Sequence, residues 1–231
     1  MGIGNWELGA AHKGNFENTT YTAFVYLFHK DKESAMDKVE FDQEYYRKLY
    51  DSRVAKNYIA KTLPAKVRST ADAFSYFGIR LRNAIDVGCG FGLWRDELAK
   101  IDKNIRYLGT ENSQYLCDRL GWRKMSIADC KVTRKYDLVI CQGVLDYLDD
   151  AEAEYAIERL SELTRGILYL EVLTCRDWEQ ICRQDLTDNR CYMRSGEWYK
   201  NRISKFFLQC GRGAFLHRTA KAYYGELDVF S

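Results

Sequence analysis

The sequence predicts an α/β domain: a doubly wound, mostly parallel sheet with an antiparallel C-terminal edge and an N-terminal helical extension. Three observations predict it. Between residues 83 and 174, short apolar runs alternate with amphipathic segments at helical spacing, a pattern that needs crossover connections and therefore parallel strands. The first of those runs ends in the glycine-rich turn Asp86-Val87-Gly88-Cys89-Gly90-Phe91-Gly92 and leads into a helix. Near the C-terminus, Phe206 to Cys210 and Ala214 to His217 follow each other with only Gly211-Arg212-Gly213 between them, the spacing of antiparallel neighbours.

Length and composition agree with one such domain. The chain has 231 residues, 46% of them apolar and 29% charged, enough to build a core and too apolar for intrinsic disorder. A single proline, Pro64, argues against Pro-rich linkers. The net charge of +2 is too small to imply nucleic-acid binding by itself. No apolar run approaches the roughly 18 residues a membrane helix needs, and no basic patch followed by an apolar core marks a secretory signal. Met1-Gly2 begins like a myristoylation site, but Trp6 stands where that motif wants Ser or Thr. The eight cysteines never occur in a Cys-x-x-Cys spacing and the three histidines lie far apart, so no metal site is expected. The cysteines read as reduced thiols of a cytoplasmic protein.

The elements follow in order. Residues 1–40 contain the apolar-aromatic stretch Tyr21 to Phe28, which periodicity assigns neither to a strand nor to a buried helix. Phe41, Tyr45 and Leu49 recur every four residues and share one helix face. Asp51-Ser52 interrupts and caps a second helix with Val54, Tyr58 and Ile59 on its apolar stripe. Pro64 is expected to interrupt again, before Val67, Ala71, Phe74 and Phe77 resume helical spacing up to a stop at Gly78. Strands are expected at Asn83 to Val87, Ile105 to Thr110, Met125 to Ile127, Tyr136 to Cys141 and Gly166 to Leu173. Helices fall between them at Leu93 to Lys100, Ser113 to Leu120 and Asp149 to Leu163. A helix at Glu197 to Lys205 precedes the edge strands, and a last strand is expected within Ala222 to Phe230.

The glycine turn carries the chemistry. Glycine is needed where the chain turns sharply and lets a ligand approach without a Cβ in the way. The helix after it offers unpaired N–H groups and the positive end of its dipole to an anionic group. Dinucleotide sites space their glycines as Gly-x-Gly-x-x-Gly; here the spacing is Gly-x-Gly-x-Gly, with Asp86 two positions before the first glycine.

On these residues the sequence resembles the class I S-adenosylmethionine-dependent methyltransferases. The resemblance is clear over residues 83–174 and implies their seven-stranded Rossmann-like sheet. It divides the chain into a helical extension and lid at 1–78 and a cofactor domain at 79–231. It implies that Asp86, Gly88, Cys89, Gly90 and Gly92 wrap the methionine part of the cofactor. It places Glu111, with Asn112 beside it, against the ribose hydroxyls, where a carboxylate suits a diol. Asp129-Cys130 then lies near the adenine, and Gln142-Gly143 lines the passage between cofactor and acceptor. Cys89 and Cys130 read as small fillers, because neither has a partner that would lower a thiol pKa. Trp94 and Arg95 either pack the first helix or meet the cofactor carboxylate.

The reaction implied is direct displacement at the sulfonium methyl, which alignment alone can promote by roughly 7–11 kcal/mol. S-adenosylhomocysteine is the product. No catalytic residue is required, and none is assigned; Tyr147, Glu171 and Tyr46 are the candidates for orienting an acceptor or taking its proton. Tyr45, Tyr46 and Tyr50 are candidate lid residues. The Asn/Asp-Pro-Pro-aromatic segment of enzymes that methylate adenine or glutamine amides is replaced here by Cys141-Gln142-Gly143-Val144, which favours a small-molecule acceptor with an oxygen or nitrogen nucleophile. Eight basic residues and one acidic residue between Arg190 and Lys221 would attract an anionic acceptor, or RNA. The rival readings are an RNA or protein methyltransferase, a non-catalytic cofactor-binding module and, against the glycine spacing, a nicotinamide-dependent oxidoreductase.

Overall fold

A computed structural model describes residues 39–131, 133–182, 184 and 190–223 of the chain. The stretch Tyr21 to Phe28 and most of the expected last strand lie outside the described residues. Seven strands form one sheet in the order β3-β2-β1-β4-β5-β7-β6. They are β1 (Asn83–Val87), β2 (Arg106–Glu111), β3 (Arg123–Lys124), β4 (Tyr136–Gln142), β5 (Thr164–Glu171), β6 (Phe207–Gln209) and β7 (Ala214–His217). The pairs β1–β2, β1–β4, β2–β3 and β4–β5 are parallel; β7 runs antiparallel to both β5 and β6. The doubly wound sheet and its antiparallel edge are as the sequence predicts.

Seven helices are described: α1 (Gln43–Tyr50), α2 (Arg53–Tyr76), α3 (Leu93–Ile101), α4 (Gln114–Leu120), α5 (Asp150–Leu163), α6 (Cys175–Gln180) and α7 (Gly196–Ile203). Their ends carry local signals. Ser52 Oγ accepts from the Ala55 N–H, and Asp149 with Glu152 forms a reciprocal capping box. α2 closes in a Schellman turn: Gly78 has φ of 66°, and the Ile79 N–H reaches back to the Phe74 carbonyl.

Because side chains alternate along a strand, the sheet has two apolar faces. Val139 and Cys141 of β4 face α5 and α7, packing with Ile157, Leu160, Tyr199 and Ile203. Leu138 and Ile140 face the other way, onto Leu63, Val67 and Phe74 of α2 and Leu98 of α3. Helix α2 therefore shares the core of the sheet. A buried clasp joins the lower strand ends: the Asp137 carboxylate accepts from the Arg82 and Asn83 N–H groups and pairs with Arg165 at 2.6 Å.

Four expectations are corrected. Pro64 does not interrupt: α2 runs unbroken through it, because Leu63, Val67, Thr70 and Phe74 continue one buried stripe whose packing outweighs the lost N–H. The third strand is Arg123–Lys124, just before Met125 to Ile127; Met125 and Ile127 are apolar because they turn into the core. β5 starts at Thr164, with Gly166 inside it, since a Cβ there would stand 2.5 Å from the Asp137 carbonyl oxygen. Residues 222 and 223 belong to no strand; the Tyr223 N–H instead meets the Phe77 carbonyl. The short helix α6 was not foreseen, although Thr174 and Asp177 spell its capping box. Among the described residues no helix is long and apolar enough to cross a membrane, and no cluster of His, Cys, Asp and Glu could hold a metal ion.

Candidate active site

The strand order reverses between β1 and β4, and ligands in open α/β sheets bind beyond the C-terminal strand ends at such a point. A cavity of about 1130 Å³ opens there. Its first wall is the glycine turn. Gly88, Gly90 and Gly92 have φ of 69°, 53° and 72°, a region that residues with a Cβ avoid. Space is equally restrictive: a Cβ on Gly88 would meet Val144 Cγ2 at 2.5 Å, and one on Gly92 would meet the Trp122 ring at 2.5 Å. Trp122 also donates from Nε1 to the Gly90 carbonyl at 2.8 Å, bracing the turn from behind. Sequence reasoning missed Trp122, because a lone tryptophan in a short connection carries no local pattern.

Glu111, at the end of the neighbouring strand β2, lines the cavity beside the turn and is buried. Its Oε2 accepts from the Gly90 N–H at 2.8 Å; its Oε1 accepts from the N–H groups of Asn112 and Ser113 at 2.8 and 2.9 Å. The carboxylate is thus held in one orientation by both the glycine turn and the start of α4, with one lone-pair site of Oε2 left for a ribose hydroxyl. Asp86 lies below the turn. Burial pushes its carboxyl up to about 7, against the Tyr107 hydroxyl that donates to it at 2.6 Å, and the Glu111 charge adds to the rise. Burial likewise raises the Cys89 thiol well above its ordinary value, so it stays protonated.

The structure brings Asp86, Gly88, Cys89, Gly90, Glu111, Asn112, Asp129, Gln142 and Gly143 to the cavity wall. Asp129 stands exposed at the rim, where Ser126 Oγ donates to it at 2.8 Å. Gly92 and Cys130 do not line the cavity: Gly92 caps α3, and Cys130 is buried beneath the rim, its carbonyl accepting from Arg159. Of the catalytic candidates, Tyr46 and Tyr147 line the cavity. Glu171 does not, and its carboxylate is paired with Lys66 of α2 at 2.6 Å.

Helix α1 roofs the site. The Ser113 hydroxyl donates to the Phe41 carbonyl, latching the approach to α1 onto the start of α4. Tyr46 and Tyr50 pack on Phe91 of the glycine turn with ring centroids 5.6 and 4.7 Å apart. The Tyr45 and Tyr147 hydroxyls meet at 2.8 Å. Phe91 is the roof residue that sequence reasoning passed over, though it stands inside the motif.

Three residues of the basic stretch, Arg194, Arg202 and Lys205, turn to acidic partners. Arg194 is buried: it pairs with Asp150 at 2.7 Å, donates to the Leu145 and Leu148 carbonyls and reaches the Tyr199 hydroxyl. Arg202 stacks on Trp198, 3.8 Å from its ring centroid, and pairs with Glu154, which Lys205 also approaches.

No protein-family model and no curated protein matches the sequence. Solved structures do match the fold. An O-methyltransferase family protein from Burkholderia thailandensis is 15% identical with a TM-score of 0.51; the match covers 80% of this chain and 65% of that one, so the chain spans about two thirds of that protein's length. Human N-acetylserotonin methyltransferase, solved with S-adenosylmethionine, is 15% identical with a TM-score of 0.53 over 77% of this chain and 59% of its own. Magnesium protoporphyrin IX methyltransferase from Synechocystis, solved with S-adenosylhomocysteine, is 18% identical with a TM-score of 0.51 over 77% and 93%. With its 3-2-1-4-5-7-6 strand order and these likenesses, the chain has the class I S-adenosylmethionine-dependent methyltransferase fold.

Proposed function

We propose that the protein is an S-adenosylmethionine-dependent methyltransferase acting on an oxygen or nitrogen of a small organic acceptor. One observation carries this reading: the open cavity at the strand tips, lined by the two left-handed glycines Gly88 and Gly90 with the fixed Glu111 carboxylate beside them. The wall fits a nucleoside with an amino-acid tail. Gly88 and Gly90 give backbone surface free of Cβ atoms, and Glu111 offers its Oε2 as an acceptor to a ribose hydroxyl. Two of the fold neighbours were solved with S-adenosylmethionine or S-adenosylhomocysteine, and both are named for small-molecule acceptors.

When bound, the cofactor supplies a methyl group activated by its own sulfonium charge. The chain contributes positioning and exclusion of water. The glycine turn and Glu111 hold the cofactor half of the site, and the aromatic roof of Tyr46, Tyr50 and Phe91 covers it. The remaining volume, bounded by α2, Gln142 and Tyr147, is the acceptor half.

Calorimetric titration tests the reading. S-adenosylmethionine and S-adenosylhomocysteine are expected to bind at micromolar concentration. Gly90→Arg places a side chain at a φ of 53°, where even a Cβ stands 3.3 Å from the Tyr50 hydroxyl, and is expected to abolish binding while the protein stays folded. Unchanged affinity in that variant contradicts the placement of the cofactor.

A further inference from the structure

We infer that the acceptor half of the cavity binds an organic carboxylate, with Lys66 and Gln142 as its two hydrogen-bond donors. The inference rests on the methyltransferase reading, which assigns the glycine-turn half to the cofactor.

Lys66 lies on the cavity wall, on the face of α2 that also presents Ile59 and Leu63. Its ammonium sits 2.9 and 2.6 Å from the two Glu171 oxygens, and the Tyr169 hydroxyl donates to the same carboxylate at 2.7 Å. Glu171 itself does not line the cavity. Of the pair, the lysine lines the cavity and the carboxylate is held behind it; an ammonium has three N–H donors, and Glu171 engages two of them. Both side chains are largely withdrawn from water, 18% and 26% exposed, so a charge-assisted hydrogen bond made there is stronger than one at the surface.

Gln142 ends β4, directly across from Glu171 in the parallel register. The Trp94 indole donates to its side-chain oxygen at 2.9 Å. An indole N–H is only a donor, so it fixes which end of the amide is which: the oxygen is engaged and the NH2 group is the end left for the cavity. Trp94 is buried against Tyr169, with ring centroids 4.5 Å apart. Tyr169 thus braces both arms, one through Glu171 to Lys66 and one through Trp94 to Gln142. Two braced donors, one of them charged, match the two oxygens and single charge of a carboxylate. Leu63 and Ile59, within two turns of Lys66 on α2, line the same cavity and suit a hydrocarbon body. An acid bound here would arrive already ionised, in keeping with a site whose candidate base, Glu171, is neutralised by Lys66.

The test uses benzoate and its neutral counterpart benzamide, titrated into protein saturated with S-adenosylhomocysteine. Benzoate is expected to bind about tenfold tighter than benzamide, the scale of one added charge-assisted contact. Lys66→Met is expected to remove that preference and leave the S-adenosylhomocysteine affinity unchanged. Glu171→Gln keeps an acceptor for Tyr169 but removes the charge that neutralises Lys66, and is expected to tighten benzoate several-fold. A purely structural ion pair would instead weaken binding in both variants. Equal binding of the two compounds, binding of neither, a preference surviving in Lys66→Met, or weaker benzoate binding in Glu171→Gln overturns the inference. Failure of S-adenosylhomocysteine to bind overturns the methyltransferase reading beneath it; its binding without a benzoate preference overturns the inference alone.

Discussion

Asp86 shows how much one buried carboxyl can impose. Its pKa of about 7 lies far above the value of about 4 it has in an unfolded chain, mainly because burial penalises the anion. A raised acid stabilises the fold when protonated. Its contribution is fully present below about pH 4 and is lost as pH rises through about 7, with a slope of at most about 1.4 kcal/mol per pH unit. Asp86→Asn keeps an acceptor for the Tyr107 hydroxyl and has no charge to bury. Urea midpoints measured from pH 4 to 8 without ligand are expected to fall for the wild type relative to the variant, leaving the variant more stable at pH 8. Parallel curves would mean that Asp86 is ionised throughout. The residues of the motif were legible because each does a local job: glycines permit a turn, and an acid ends a strand. Trp122 and Lys66 were not. Their roles come from Gly90, 32 residues away, and Glu171, 105 residues away, and nothing in their own neighbourhoods announces either contact.

Among the elements, α2 departs furthest from its local signals. Pro64 within a helix removes one backbone hydrogen bond and crowds the preceding turn, which ordinarily breaks the helix. The helix persists because the stripe from Ala55 through Leu63 to Phe74 is buried along its length against the sheet and its neighbours. Packing supplies what the backbone lacks, so the local cost remains in the folded state. Pro64→Ala is expected to raise stability by about 1–3 kcal/mol, part of the helix-interior penalty of proline, and thermal unfolding reads this directly. A lower melting temperature would mean that the proline ring itself fits the packing. Caps and turn glycines behaved differently. Ser52, Gly78, Ser113 and Asp149 end or begin helices where their chemistry indicates, because a cap satisfies backbone groups within three residues of itself.

For the molecule as a whole, the crevice joins parts distant in sequence: the roof α1, the tips of β1 and β2, and the rim after β3. A ligand filling it binds the folded state alone, so it stabilises the whole domain by mass action. At a hundredfold excess over its Kd, S-adenosylhomocysteine is expected to add about 2.7 kcal/mol. That corresponds to a melting-temperature rise of about 5–10 °C for a chain of this size. No rise at saturating ligand would contradict the cofactor assignment. The net charge also takes its meaning at this scale. The basic run from Arg190 to Lys221 reads as one cationic face in the sequence, yet Arg194 is enclosed by backbone carbonyls, and Arg202 and Lys205 turn to Glu154.

The sequence by itself determined the alternation of strands and helices, the position of the glycine turn and the acidic end of β2, because periodicity, capping and turn chemistry act over a few neighbouring residues. Only the tertiary structure decided that α2 runs through its proline, that Trp122 braces the turn, that Arg194 and Arg202 of the basic run are spent on internal pairs and that Lys66 stands in front of Glu171. Those outcomes depend on strand register and on which helix face meets the sheet, and contacts between residues a hundred positions apart take shape only once the crossovers close.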